Sequence, residues 1–427
     1  MLATAPPPSL RMDTPCPDYF VKWAPGLQLP TLEKKTKLSR NEMDRYSRQL
    51  LVSRMGIKGQ LHLRGSSVLV IGAGGLGCPL GMYLAGMGFG RIGVVDGDVV
   101  ETTNLHRQIS HGEDRIGMNK ALSLCLSMHT LNSDVEYVVV PIFARREYIC
   151  ELINTFDIVC DCTDNPFSRY LVNDACVFVG KPLVSGAAVR AEGYTSVYNV
   201  TETSPCLRCI AAPPVGVVAR CSNEGILPPV VGMIACAMAQ DTLSLAVREN
   251  STAAPDSDSR LQMVDGRGAV LQLKTVGLRR RQASCVCQML RKQELPSPDY
   301  FATFLLDAST TVDLDPLWTV TAEEYAQATR SKCHFLLDVR EKARFKECGL
   351  ASSVNIPLLE LSHSLGVLDR LYHSMGSGFP LYVICRSGED SAKAVKFLRE
   401  KTSFNALHIG GGLLSYAATV DTKLMVY

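Results

Sequence analysis

Short unbroken apolar runs alternate along the chain with stretches of helical spacing. The runs 68–71, 92–95, 135–141 and 156–160 suit strands buried on both faces of a parallel sheet. Leu80, Leu84 and Met87 recur at helical spacing between the first two, and Ser39 caps a helical pattern carrying Met43, Tyr46 and Leu50. A strand at 183–190, a hairpin from 193–200, a helix at 230–248 and a closing hairpin of 261–265 and 269–276 follow, the last split by Gly266-Arg267-Gly268. From Trp318 the pattern starts afresh: a capping box at Thr321 to Glu324, strands at 335–339 and 381–384, and a helix at 392–401. The prediction is an α/β protein with a Rossmann-like doubly wound domain at 38–291 and a smaller α/β domain at 318–427. Residues 1–37, with seven prolines, read as a flexible extension, and 292–317, with no sustained period, as a linker.

Composition narrows the function classes. A net charge of +2 and an apolar share of 46% give no hint of a nucleic-acid groove. No apolar run suggests a membrane span, and the first residues lack a basic stretch followed by an apolar block, so a secretory signal is not expected. Sixteen cysteines in a chain of this size, clustered as Cys160/Cys162, Cys206/Cys209 and Cys285/Cys287, favour metal and thiol chemistry in a reducing, cytosolic compartment.

The first strand runs straight into Gly72-Ala73-Gly74-Gly75-Leu76-Gly77 and a helix, and the second ends in Asp96. Glycines allow close approach to phosphate, the helix start offers free N–H groups, and the acidic strand tip accepts from ribose hydroxyls. By itself this fingerprint also describes a nicotinamide-dependent dehydrogenase. Thr103-Asn104-Leu105-His106-Arg107 and Lys120 argue otherwise, because hydride transfer has no need of two further cations where a triphosphate would be cleaved. At these residues the chain resembles the MoeB/ThiF and ubiquitin-activating-enzyme family, which adenylates the C-terminal glycine of ubiquitin-like proteins.

The resemblance implies ATP and Mg2+ as cofactors, with Gly72, Gly74, Gly75, Gly77, Asp96, Thr103, Asn104, Leu105, His106, Arg107, Lys120 and Asn165 as nucleotide contacts. It makes Asp164 the metal-linked carboxylate, although Asp and Asn at 164–165 equally suit a helix N-cap. Arg45-Tyr46-Ser47-Arg48-Gln49 matches the family's segment whose arginine, here Arg48, reaches across a homodimer to the partner's phosphates. Cys221 stands where relatives carry a thiol that receives the carrier or resolves an acyl disulfide.

Cys206, Cys209, Cys285 and Cys287 offer two thiolate pairs for a structural zinc. The resembling proteins have two CxxC pairs, whereas the second pair here is CxC. An incomplete site, or one ligand shifted to another residue, is the competing expectation.

The last third resembles a rhodanese domain in its Asp338-Val339-Arg340-Glu341 tetrad, its loop from Cys385 to Ser391 and its late Gly410-Gly411-Gly412. A thiol at a strand end, ringed by N–H groups at a helix start, is expected to have a lowered pKa and to hold a persulfide. Tyr416 stands where tryptophan is common, and no proline precedes the terminal tyrosine.

Taken together, the two motif sets imply adenylation of a ubiquitin-like sulfur carrier followed by sulfur transfer from Cys385 to give a thiocarboxylate. The implied catalytic set is Arg48, Asp164, Cys221 and Cys385. The implied partners are carriers of the molybdopterin synthase small-subunit type and of the tRNA wobble-uridine thiolation type. A cysteine desulfurase or other persulfide donor would charge Cys385; no direct nucleic-acid or membrane contact is expected. The rivals are an activating enzyme without sulfur transfer, whose rhodanese part only recruits partners, and a non-catalytic scaffold.

Overall fold

The structure is a computed structural model. It describes residues 14–211, 225–248, 259–294, 314–330, 333–351, 353–374 and 379–426. The chain divides into two compact units, Met1–Ala308 and Ser309–Tyr427.

In the first unit, strands β1 (Val21–Lys22), β2 (Ser67–Ile71), β3 (Arg91–Val95), β4 (Glu136–Val140), β5 (Ile158–Asp161), β6 (Leu183–Val189), β7 (Glu192–Tyr198), β8 (Arg260–Asp265) and β9 (Gln272–Gly277) share one sheet. Their order is β1-β4-β3-β2-β5-β6-β7-β8-β9, parallel from β1 to β6 and antiparallel from β6 to β9. The apolar runs are unbroken because both faces are covered. Val68 and Val70 of β2 enter one core with Leu80, Leu84, Leu124 and Ile234, while Leu69 and Ile71 enter the other with Ile149, Leu152 and Val172. The chain winds outward from β2 through β3 to β4, then crosses to β5 on the other side. That reversal opens a crevice at the C-terminal ends of β2 and β5, where Ile71 lies opposite both Val95 and Asp161.

Two expectations are corrected here. Over 14–37 the extension is not loose: β1 adds to β4, Trp23 is 1% exposed and its N–H donates to the Val139 carbonyl. The helix begun at Ser39 is capped by reciprocal bonds with Glu42, yet it breaks at Tyr46 into Arg40–Arg45 and Ser47–Leu50. Tyr46 packs where a Gly88 side chain would sit, and Met43 faces solvent. The helix Pro228–Ala246 is long and apolar enough to cross a membrane, but it lays Val230, Val231, Ile234 and Met238 into the core beside β6 and β7.

The second unit has a five-stranded parallel sheet of β10 (Thr319–Val320), β11 (Phe335–Asp338), β12 (Ser353–Asn355), β13 (Leu381–Ile384) and β14 (Ala406–Ile409), in the order β10-β14-β13-β11-β12. Its β13 runs into the loop of Cys385 and then the helix Glu389–Lys401.

Candidate functional site

The glycine loop is forced by close packing at the crevice. Gly72 adopts φ +101°, and a Cβ there would lie 2.8 Å from the Cys162 carbonyl oxygen. A Cβ at Gly77 would overlap the Gly72 carbonyl oxygen. Gly75 packs against Val231 and the Arg107 stem, and Gly74 against the Gln108 amide. At 72 and 77 only glycine fits this turn, which leaves its backbone open to a phosphate.

Asp96, at the tip of β3, accepts from the N–H groups of Ala73 and Asp98, each at 2.8 Å. Burial pushes its carboxyl up to about 6, against the pull of Lys120 and of those N–H donors. Lys120, itself buried, reaches Asp98 at 3.1 Å. Asn119 ties the strand tip down by donating to the carbonyls of Asp96 and Asp98. Arg107 is half-buried and leans on the Thr103 carbonyl and the His106 ring; Leu105 is half-buried beside them. The buried Asn104 Oδ1 and Gln108 Oε1 have no hydrogen-bond partner among the described residues. Two open acceptors beside a glycine loop suit a ligand rich in N–H and O–H donors, and Lys120 with Arg107 suits its polyphosphate.

Past β5, Asp161 is wholly buried and is used up by Thr163 and Ser185. Asp164 is exposed, with no hydrogen bond among the described residues, so its carboxylate is open to a cation. Asn165 is the N-cap of the helix Pro166–Val179, accepting from the Phe167 N–H at 2.9 Å. In the 45–49 segment, Arg45 donates to the Leu131 carbonyl, Tyr46 is buried on Asn132, and Gln49 donates to the Met87 carbonyl. Arg48 is exposed, with no hydrogen bond among the described residues. Cys221 lies outside the described residues.

The four sulfurs of Cys206, Cys209, Cys285 and Cys287 lie within 4.8 Å of one another. Three pairs stand at 3.7, 3.8 and 3.7 Å. A tetrahedron with metal–sulfur bonds of about 2.3 Å has edges near ~3.8 Å, so this donor set fits zinc despite the short spacer. Cys287 opens a helix at Cys287–Arg291, and the turn before it aims both sulfurs inward. The opposite pair is held by a buried, bidentate Arg208–Asp174 contact at 2.7 Å and by the Leu207 N–H on Asn173.

In the second unit, Cys385 is 2% exposed and its sulfur accepts from the Gly388 N–H at 3.1 Å and the Ser391 hydroxyl at 3.4 Å. Gly412, at φ +59°, lets the Leu413 and Leu414 N–H groups reach the Cys385 and Arg386 carbonyls. Asp338 and Arg340 form a buried bidentate pair that braces the neighbouring strand end. The expected lowering of the thiol pKa is corrected: burial outweighs the Ser391 and Gly388 donors and raises it, with Asp390 adding to the rise.

Several residues of these sites escaped the sequence reading. His111 is buried, with Nε2 3.0 Å from the Ala73 carbonyl and Nδ1 2.9 Å from Ser123, so it pins the glycine loop from beneath. Asn119, Gln108 and His408 were likewise not singled out. A histidine or amide in a polar loop carries no periodic signal, and only its place in the fold gives it a partner.

Residues 46–287 match the ThiF family and residues 321–419 the Rhodanese-like domain. The chain is 39% identical over 423 residues to the mouse "Adenylyltransferase and sulfurtransferase MOCS3", covering 93% of this chain and 90% of that protein. Proteins of the same name from Dictyostelium discoideum (37%, 92% of this chain and 99% of that one) and Arabidopsis thaliana (38%, 94% and 88%) are similar throughout. Among solved structures, E. coli MccB superimposes with a TM-score of 0.51 at 22% identity, over 58% of this chain and 73% of that one, a likeness of fold.

Proposed function

This chain belongs to the ThiF family, and from that premise we propose how its residues divide the work. It is an adenylyltransferase and sulfurtransferase that activates a ubiquitin-like carrier and then delivers sulfur to it. The observation that carries this reading is the continuous similarity, across both units, to relatives bearing that double name.

In the first stage a carboxylate oxygen of the carrier's C-terminal glycine attacks the α-phosphorus of ATP. The bond to pyrophosphate breaks and an acyl-adenylate forms. The glycine loop of Gly72, Gly74, Gly75 and Gly77 cradles phosphate with backbone N–H groups. Asp96 and Asn165, with the open acceptors on Asn104 and Gln108, orient the nucleoside. Lys120 and Arg107 offset the charge that develops as the bond to pyrophosphate stretches, joined by Arg48 of a second copy in a homodimer. Asp164 would hold Mg2+, which supplies further charge neutralisation at the phosphates.

In the second stage the outer sulfur of a Cys385 persulfide attacks the acyl carbon and AMP leaves, giving an acyl disulfide. The Cys221 thiolate then attacks the sulfur still bonded to Cys385. The thiocarboxylate is released and a Cys221–Cys385 disulfide remains, to be reduced by a cellular thiol. The Gly388 N–H and the Ser391 hydroxyl hold the sulfur anion. A persulfide donor such as a cysteine desulfurase recharges the thiol, and carriers serving molybdopterin synthesis and tRNA thiolation are the substrates. A reducing cytosol suits this chemistry. Four cysteines fit a structural zinc that locks the end of the first unit.

Carrier-dependent ATP–pyrophosphate exchange tests the first stage, and a scaffold would give none. Mass spectrometry of the carrier tests the second: exchange of one oxygen for one sulfur at its C-terminus is expected. Cys385→Ala is expected to keep pyrophosphate exchange and abolish the thiocarboxylate. Unchanged thiocarboxylate in that variant would remove Cys385 from the mechanism.

A further inference from the structure

We propose that His408 is a positioning residue for Cys385, deciding whether the sulfur receives the hydrogen bond of the Ser391 hydroxyl. The inference rests on Cys385 as the sulfur-bearing thiol and adds a residue that the family likeness does not supply.

His408 sits on β14, opposite Val383 of β13 and Thr319 of β10. Its ring packs under the sulfur loop, with Cε1 3.3 Å from where a Gly388 Cβ would be. Nδ1 lies 3.0 Å from Ser391 Oγ, which lies in turn 3.4 Å from the Cys385 sulfur. All three side chains are buried, Ser391 completely.

A hydroxyl has one hydrogen to give. Three acceptors surround it: the Gly388 carbonyl at 3.0 Å, the Cys385 sulfur and His408 Nδ1. The carbonyl is a constant competitor, but the imidazole is not. With hydrogen on Nδ1 the ring donates to Ser391 Oγ, and that bond orients and polarises the hydroxyl towards the sulfur; with no ring there, the hydroxyl settles on the nearer Gly388 carbonyl. With Nδ1 bare, the ring takes that hydrogen and the sulfur keeps only the backbone N–H groups of Gly388 and Ser391. Burial alone lowers the His408 pKa, with no charged side chain contributing, so the ring is neutral near pH 7 and the choice lies between tautomers. The charged group acting on the sulfur itself is Asp390, at the start of the helix, which disfavours the anion. Ser391 therefore has to offset both burial and Asp390, and His408 sets whether it does.

The test is iodoacetamide alkylation of the full chain against pH, read by mass spectrometry on the peptide carrying Cys385. Ser391→Ala and His408→Val are each expected to raise the alkylation midpoint by about one pH unit, the scale of one hydrogen bond to an anion. The double variant should match Ser391→Ala alone, since His408 acts only through that hydroxyl. His408→Asn, whose amide can replace Nδ1 without titrating, should restore the wild-type midpoint. In sulfur transfer, His408→Val should lower kcat and leave KM for the carrier unchanged. An unmoved midpoint in His408→Val, or additive shifts in the double variant, overturns the proposal. His408→Ala repeats the comparison if valine overpacks the site. Should Cys385→Ala leave the thiocarboxylate yield intact, the sulfur-carrier reading fails while the alkylation result still decides the role of His408.

Discussion

Lys120 places a buried ammonium at the start of the helix Lys120–Leu131, satisfied by an Asp98 carboxylate that is itself half open to solvent. In Lys120→Met the Asp98 carboxylate keeps its solvent, while the Asp96 carboxyl loses the cation that pulls against its burial. We expect carrier-dependent pyrophosphate exchange to fall by about 10²–10³, the usual loss for one preorganised charge at a reacting centre. His111 works on the same loop by a different route. Burial holds it down to about 4 from the ordinary 6.5, so the folded protein keeps it neutral where the unfolded chain would protonate it. Stability is then fully present above pH 6.5 and is lost as pH falls towards 4, by up to about 3 kcal/mol. Asp96 acts in the opposite sense: its raised pKa makes the folded state bind a proton between 3.8 and 6, so its contribution declines as pH rises through that window. Denaturant titration of His111→Gln against wild type isolates the histidine, and the variant should lose the extra fall in stability below pH 6.5.

At the scale of elements, the cysteine knuckle shows how a departure in spacing can be harmless. The turn Gln282 to Cys285 and the helix Cys287–Arg291 bring Cys285 and Cys287 onto the sulfurs of Cys206 and Cys209. The buried Arg208–Asp174 pair fixes the other half to the helix Pro166–Val179. The same helix begins at Asn165 in the nucleotide crevice, so one rigid element is shared by both sites. One equivalent of zinc per chain is expected on thiol modification in the presence of a colorimetric chelator. Cys287→Ser should release almost none and should lower the thermal midpoint; wild-type protein yielding no metal would sink the zinc assignment.

At the scale of the whole molecule, two units meet different chemical demands: one makes a carboxylate electrophilic and the other stores a sulfur nucleophile. Arg48 bears on how many copies are needed. Its neighbours Arg45, Tyr46 and Gln49 are spent on holding the segment down, while it extends outward. If it serves the active site of a second copy, Arg48→Ala and Lys120→Met are each inactive alone but complement one another when mixed. Random exchange of subunits in a two-fold dimer makes about half the dimers mixed, each with one intact site, so about a quarter of wild-type exchange activity should return. No recovery after verified subunit exchange would place Arg48 outside the catalytic set.

Much of this was written into the order of residues. Strand runs 68–71 and 381–384, the glycine turn, the capping boxes at Ser39 and Thr321 and the loop opened by Cys385 follow from local periodicity and backbone chemistry, which adjacent residues settle among themselves. Tertiary structure decided what depends on residues distant along the chain. It added β1 to the sheet edge beside β4, split the first helix at a buried tyrosine, and closed four thiols around one point in spite of a missing spacer residue. It also raised the Cys385 pKa where donors alone would have lowered it, because burial is a property of the packed interior and no motif encodes it.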